Sequence, residues 1–241
     1  MRLSRALFAA IWVLISTSAH AYPDFRLEST GRSYPLGGAT YLEAGDSRLL
    51  WGGDSQGEPP QTGADYGYWR PSVGATYADY YRGARAQVGL FPVAFFGVRG
   101  GARVVDNNGD YPAFDCGVSD DRCRDRYTAT YAEGRLALGS GPWFAAATAK
   151  VTAMERQDTD RGPFVEPTSG LLLSAQGDRL REINAYLGRS FGPVSAVYNQ
   201  YYADTRDRTG FARMHLLSAS YRHGSLRFTA GAGAFRSALK P

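Results

Sequence analysis

Along most of the chain, small or apolar side chains alternate with polar or charged ones at every second residue. This is the period of a strand with two unlike faces. In 84–91, Ala84, Ala86, Val88 and Leu90 take one parity and Arg85, Gln87, Gly89 and Phe91 the other. In 98–105, Val98, Gly100, Ala102 and Val104 oppose Arg99 and Arg103. Glu133 and Arg135 lie opposite Leu136 and Leu138 in Thr128–Leu138, and Lys150 faces away from Trp143, Ala145, Ala147, Ala149 and Val151 in Trp143–Met154. Glu182, Asn184 and Tyr186 oppose Ile183, Ala185 and Leu187 in 180–190, and Arg227 and Thr229 oppose Leu226 and Phe228 in 226–235. Further strands are expected at 39–51, 69–80, 194–203 and 211–222. No segment after residue 21 carries a sustained helical stripe or 18 consecutive apolar residues.

The joints between these segments fall into two kinds. Short ones carry turn chemistry: Gly139-Ser-Gly-Pro142, Phe191-Gly-Pro193 and Arg222-His-Gly-Ser225. Long ones are polar: Gly52 to Gly67, Asp106 to Asp125, Gln157 to Ser169 and, shorter, Ala203 to Gly210. Alternating strands of bilayer length joined in this way resemble the bacterial outer-membrane β-barrel class over residues 36 to 235. The resemblance implies an all-β fold, an antiparallel up-and-down transmembrane β-barrel of 8–12 strands with ten favoured, in the outer membrane of a Gram-negative bacterium. It also implies outer-membrane lipids, lipopolysaccharide and the outer-membrane assembly machinery as partners. Tyrosines and tryptophans near strand ends (Trp51, Tyr66, Tyr68, Trp69, Tyr80, Tyr81, Trp143, Tyr198, Tyr201 and Tyr202) would form interfacial girdles. Phe235 would close the last strand ahead of a short tail, 236–241.

Composition agrees with a turn-rich β protein: 29 glycines and 32 aromatic residues in 241. The N-terminus reads as an export signal. A basic start at Arg2 and Arg5 precedes an apolar run from Ala6 to Ile15, and Ala19-His20-Ala21 has the form of a cleavage site. Residues 1–21 are therefore expected to be removed, with 22–35 a periplasmic segment ahead of the barrel. Without Arg2 and Arg5, 25 basic residues face 23 acids, a balance that argues against nucleic-acid binding. Cys116 and Cys123 lie in a polar segment of an exported chain and suggest a local disulfide.

The charges on the inward parity are Arg85, Arg99, Arg103, Arg135, Lys150, Arg213 and Arg227 against Glu43, Glu133 and Glu182. Seven positives to three negatives suit a narrow, anion-biased channel. The other reading is an interior filled by paired side chains, leaving a structural surface protein. His223-Gly-Ser225 resembles the His-x-Ser pair of outer-membrane lipid hydrolases, which makes a lipid-modifying enzyme the rival; no acid or amide follows to orient the imidazole. His215 reads as a lumen-facing polar residue. Asp120 and Asp121 read as a solvated acidic loop, and Arg122, Arg124, Arg126, Arg156 and Arg161 as loop arginines able to meet lipopolysaccharide phosphates. No metal-ligand set, phosphate loop or cofactor motif is present, so no cofactor is expected and the protein reads as non-enzymatic. A further alternative is a soluble exported β-barrel that binds a small ligand, with its charged face turned the other way.

Overall fold

The computed structural model describes residues 21–33, 36–52, 66–108, 124–156, 163–174, 176–206 and 210–239. They form thirteen antiparallel strands in two sheets. The main sheet contains β1 (Ala21–Ser33), β2 (Leu36–Trp51), β3 (Gly67–Ala78), β4 (Tyr81–Val93), β5 (Phe96–Asn108), β6 (Arg124–Ser140) and β7 (Trp143–Arg156). It continues through β10 (Asp178–Phe191), β11 (Val194–Thr205), β12 (Gly210–His223) and β13 (Leu226–Leu239). A two-stranded hairpin, β8 (Phe164–Glu166) with β9 (Leu171–Leu173), is inserted between β7 and β10. Each strand of the main sheet pairs with its neighbour in order, from β1 at one edge to β13 at the other.

Glycine sets the tight hairpins. Two-residue loops at Gly141-Pro142, Gly192-Pro193 and Gly224-Ser225 place glycine first, at φ values of 56°, 63° and 58°. Hairpins of this type need that left-handed conformation at their first loop residue.

The sheet is open, which corrects the expectation of a closed transmembrane barrel. Among the described residues, β1 and β13 share no ladder, and each is bonded on one side only. An unclosed sheet presents rows of unpaired N–H and C=O groups, each costing several kcal/mol in hydrocarbon. With closure fall the inferences built on it: membership of the outer-membrane barrel class, outer-membrane location, a porin-like channel, and partners among lipids, lipopolysaccharide and the assembly machinery. No helix among the described residues is long and apolar enough to cross a membrane, a test that does not bear on strands.

Other departures are local. The segment 22–35, expected to precede the sheet, supplies β1, paired with β2 from Ala21↔Arg48 to Ser33↔Leu36. The long 52–66 connection leaves the end of the sheet opposite the long connections that follow β5 and β7, so the long loops do not share one rim. Half of the aromatic residues expected in girdles turn inward or stack: Tyr80 is buried, Tyr81 and Tyr201 pack on the interior apolar cluster, and Tyr66 and Tyr68 belong to a ring stack. Phe235 also packs inward against that cluster. Residues 1–20, Cys116, Cys123, Asp120, Asp121, Arg122 and Arg161 lie outside the described residues.

The sheet curls, because residues of β1 and of β6 and β7 line the same cavity. Its two faces differ sharply. The convex face exposes Phe25, Leu27, Val88, Leu90, Val98, Leu136, Leu138, Val151, Ile183, Leu187, Leu217 and Phe228. The concave face is apolar at one end only. There the β8–β9 hairpin folds inward, and Phe164, Leu171 and Leu173 pack with Tyr127, Met154, Leu180, Ala203 and Ala212. Full burial of a leucine or phenylalanine contributes roughly 1.5–3 kcal/mol, so this hairpin anchors its end of the trough.

A basic trough as the candidate functional site

Below the hairpin the concave face encloses a cavity of about 650 Å³. Strand pairing assembles its charges in rows. One row runs from Arg26 through Glu43, Gly74 and Arg85 to Arg103, each directly opposite the next. A second runs from Arg99 through Glu133 and Lys150 to Glu182. Glycine at 74 fits a close approach at this crossing: a Cβ there would meet the Leu42 carbonyl oxygen at 2.8 Å and the Tyr41 hydroxyl at 3.2 Å.

Glu43 is the hub of the first row. Its carboxylate accepts hydrogen bonds from Arg70, Arg85 and the Tyr41 hydroxyl. The Arg85 guanidinium also lies 4.2 Å from the centre of the Tyr41 ring, a cation–π contact. Arg70 bonds Asp24 as well, and that bond, working against partial burial, holds the Asp24 carboxyl below the usual range. In the second row, Arg99 Nη2 stands 2.8 Å and 2.9 Å from the two Glu133 oxygens, and Lys150 Nζ donates to Glu182 at 2.6 Å. Tyr201 also donates to Glu182, at 3.2 Å.

The boundary between the trough and the apolar end is a buried ion pair. Arg103 Nη2 donates to Glu166 Oε1 at 3.0 Å, and Glu166 Oε2 accepts from the Ser169 amide at 2.6 Å and its hydroxyl at 2.8 Å. Burial alone would raise the Glu166 carboxyl; Arg103 and the two Ser169 bonds outweigh it and hold the group below its ordinary value. Asn107 adds a hydrogen bond from Nδ2 to the Val165 carbonyl at 3.0 Å, which ties the hairpin to β5.

The pairing leaves an excess of positive charge. Seven basic side chains line the cavity (Arg26, Arg70, Arg85, Arg99, Arg103, Arg135 and Lys150) against four acidic ones (Asp24, Glu28, Glu43 and Glu133), and Glu166 and Glu182, bonded to Arg103 and Lys150, bring the acids to six. Arg85 and Arg103 are direct cross-strand partners, an arrangement of like charges that ordinarily destabilises a sheet. Arg85, Arg99 and Arg103 each keep a buried Nε–H with no hydrogen-bond acceptor among the described residues. Arg135 is an exposed part of the lining, and none of the ion pairs among the described residues involves it.

Of the residues expected to face inward, Glu43, Arg85, Arg99, Arg103, Glu133, Arg135 and Lys150 line this cavity, and Glu182 joins it through Lys150. Arg213 stands elsewhere. It is exposed with His215 and Leu217 on the parity opposite buried Ala212, and its guanidinium lies 5.4 Å from the Tyr202 ring centre. His215 shares that convex face, with Nδ1 2.7 Å from the Tyr198 hydroxyl. Arg227 is exposed near the β12–β13 turn. His223 and Ser225 flank Gly224 in that same turn, both exposed, and Leu226 rather than an acid faces His223. Arg156 is a buried core cation rather than a loop group, paired with Asp125 and lying 5.6 Å from the Phe164 ring centre.

Sequence reasoning did not single out Asp24, Arg26, Arg70, Gln87, Tyr131 or Glu166. Alternation in Asp24-Phe-Arg-Leu-Glu28 was a signal for the first two. Nothing local marks Glu166, whose importance comes from the hairpin turning inward. Among the described residues no group of three or more His, Cys, Asp or Glu could hold a metal ion. No protein-family model matches the chain, and no curated protein matches it.

Proposed function

We propose that this protein binds a small organic anion in the basic trough, as a non-catalytic binding protein. The observation that carries the reading is Arg135, an exposed cation on the wall of the trough that none of the ion pairs among the described residues involves. Charge-assisted bonds from guanidinium to carboxylate or phosphate are short and directional, which suits recognition of a small acid.

Isothermal titration of the full chain with acetate and with inorganic phosphate tests the proposal. Saturable binding that weakens as ionic strength rises is expected, and Arg135→Gln is expected to weaken it about tenfold or more, as for one charge-assisted hydrogen bond. Absence of binding by either anion would overturn the proposal, as would affinity unchanged by Arg135→Gln together with affinity unchanged by Arg99→Gln.

A further inference from the structure

At the trough end away from the hairpin, three aromatic rings form a column. Phe91 and Tyr68 are direct cross-strand partners, their ring centres 4.5 Å apart and their planes within 9°. Tyr66 extends the column, 5.9 Å from Tyr68 at 25°. Glycines make room for it. The Phe91 ring lies over Gly89 and Gly97: a Cβ at 89 would meet the ring at 2.7 Å, and one at 97 would collide with it. Arg135 is the direct cross-strand partner of Gly97, so its guanidinium springs from the wall beside the Phe91 ring. Tyr68, Phe91 and Arg135 all line the cavity.

A flat apolar surface next to a cation that no ion pair among the described residues engages recognises a flat ring that bears an anion. The cavity's hydrogen-bonding groups nearest the column are already engaged: Asp24 is held by Arg70, and Gln87 by Ser72 and Tyr131. A polyhydroxylated sugar ring would need several such groups free, whereas an aromatic ring needs only contact with the column. We infer that the ligand is an aryl acid, its ring against the Tyr68–Phe91 column and its carboxylate on Arg135. This rests on the anion-binding proposal and names the ligand class of the same trough.

The test compares benzoate, cyclohexanecarboxylate and acetate by titration of the full chain. The three share one charge and differ in the ring. Benzoate is expected to bind about tenfold or more tighter than acetate and severalfold tighter than cyclohexanecarboxylate, the margin an aromatic contact gives over equal apolar area. Phe91→Leu should abolish the preference for benzoate while acetate affinity stays at the wild-type value, which also reports that the variant has folded. Should Phe91→Leu lose acetate binding too, Tyr68→Leu serves as the second variant with the same expectation. If all three acids bind alike, or benzoate and cyclohexanecarboxylate bind equally, the aryl assignment is overturned and anion binding stands. If none binds, both are overturned.

Discussion

At the scale of single residues, the interior depends on a few ions whose partners come from distant parts of the chain. Glu166 and Arg103 are 63 residues apart, and each would be stranded without the other. Removing one member of a buried pair typically costs about 3–5 kcal/mol because the other remains buried and uncompensated. Glu166→Gln is therefore expected to lower stability by roughly that amount at neutral pH, read from denaturant melts. The pH dependence has a definite sign. The Glu166 carboxyl is held below its ordinary value of 4.5, so the stabilisation from its ionised form is complete above that pH and is lost as pH falls through the lower folded-state value. The wild-type chain should lose stability on acidification across that window, and Glu166→Gln should flatten the loss. A second expectation concerns Gly97. Alanine there would drive a methyl group into the Phe91 ring, which must then leave the column, so Gly97→Ala should blue-shift or weaken the near-ultraviolet dichroism of the stacked rings.

At the scale of elements, the β8–β9 hairpin decides which part of the concave face is core and which is cavity. Leu171 is fully buried among Tyr127, Met154 and Leu180, and it is the direct cross-strand partner of Glu166. Leu171→Ala should cost about 2–5 kcal/mol in a thermal or chemical melt, the range for an emptied leucine site. Anion affinity at the trough should be unchanged in the folded fraction. The ten strands read from alternation, 39–51 through 226–235, each fall within or across a strand of the main sheet, since one face is apolar and the other charged along nearly their whole length. β1 was legible in principle from Phe25 and Leu27 alternating with Asp24, Arg26 and Glu28, but Pro23 and Gly31 blunt the pattern. The hairpin was not legible. Leu171-Leu-Leu173 has no alternation, Pro167 and Gly170 read as loop, and only the tertiary position of Glu166 shows why an acid stands there.

At the scale of the whole molecule, local pattern and global closure are separate facts. Alternation fixes which side chains share a face, and it correctly pairs Arg85 with Gln87 and Arg99 with Arg103 on the concave side. It carries no information on whether the first and last strands meet, because that depends on curl summed over eleven strands. The expected barrel was an extrapolation from strand pattern to closure, and the open β1 and β13 edges end it. The convex face remains an unusual surface, with Leu27 and Leu217 64% and 65% exposed. Apolar patches of this extent are rare on dispersed monomers. Sedimentation should show concentration-dependent self-association that a mild detergent reverses; a monodisperse species in detergent-free buffer at high concentration would contradict that.

The central claim is that Arg135 offers its exposed guanidinium to an anion in the trough, and its Nε–H resonance reports on it directly. In a nitrogen–proton correlation spectrum, with each signal assigned by an Arg→Lys variant, addition of acetate should shift the Arg135 resonance along a saturable curve. The exposed guanidinium groups of Arg213 and Arg227 should stay nearly still. An Arg135 signal unmoved at saturating anion, or one that moves no more than those of Arg213 and Arg227, would contradict the account.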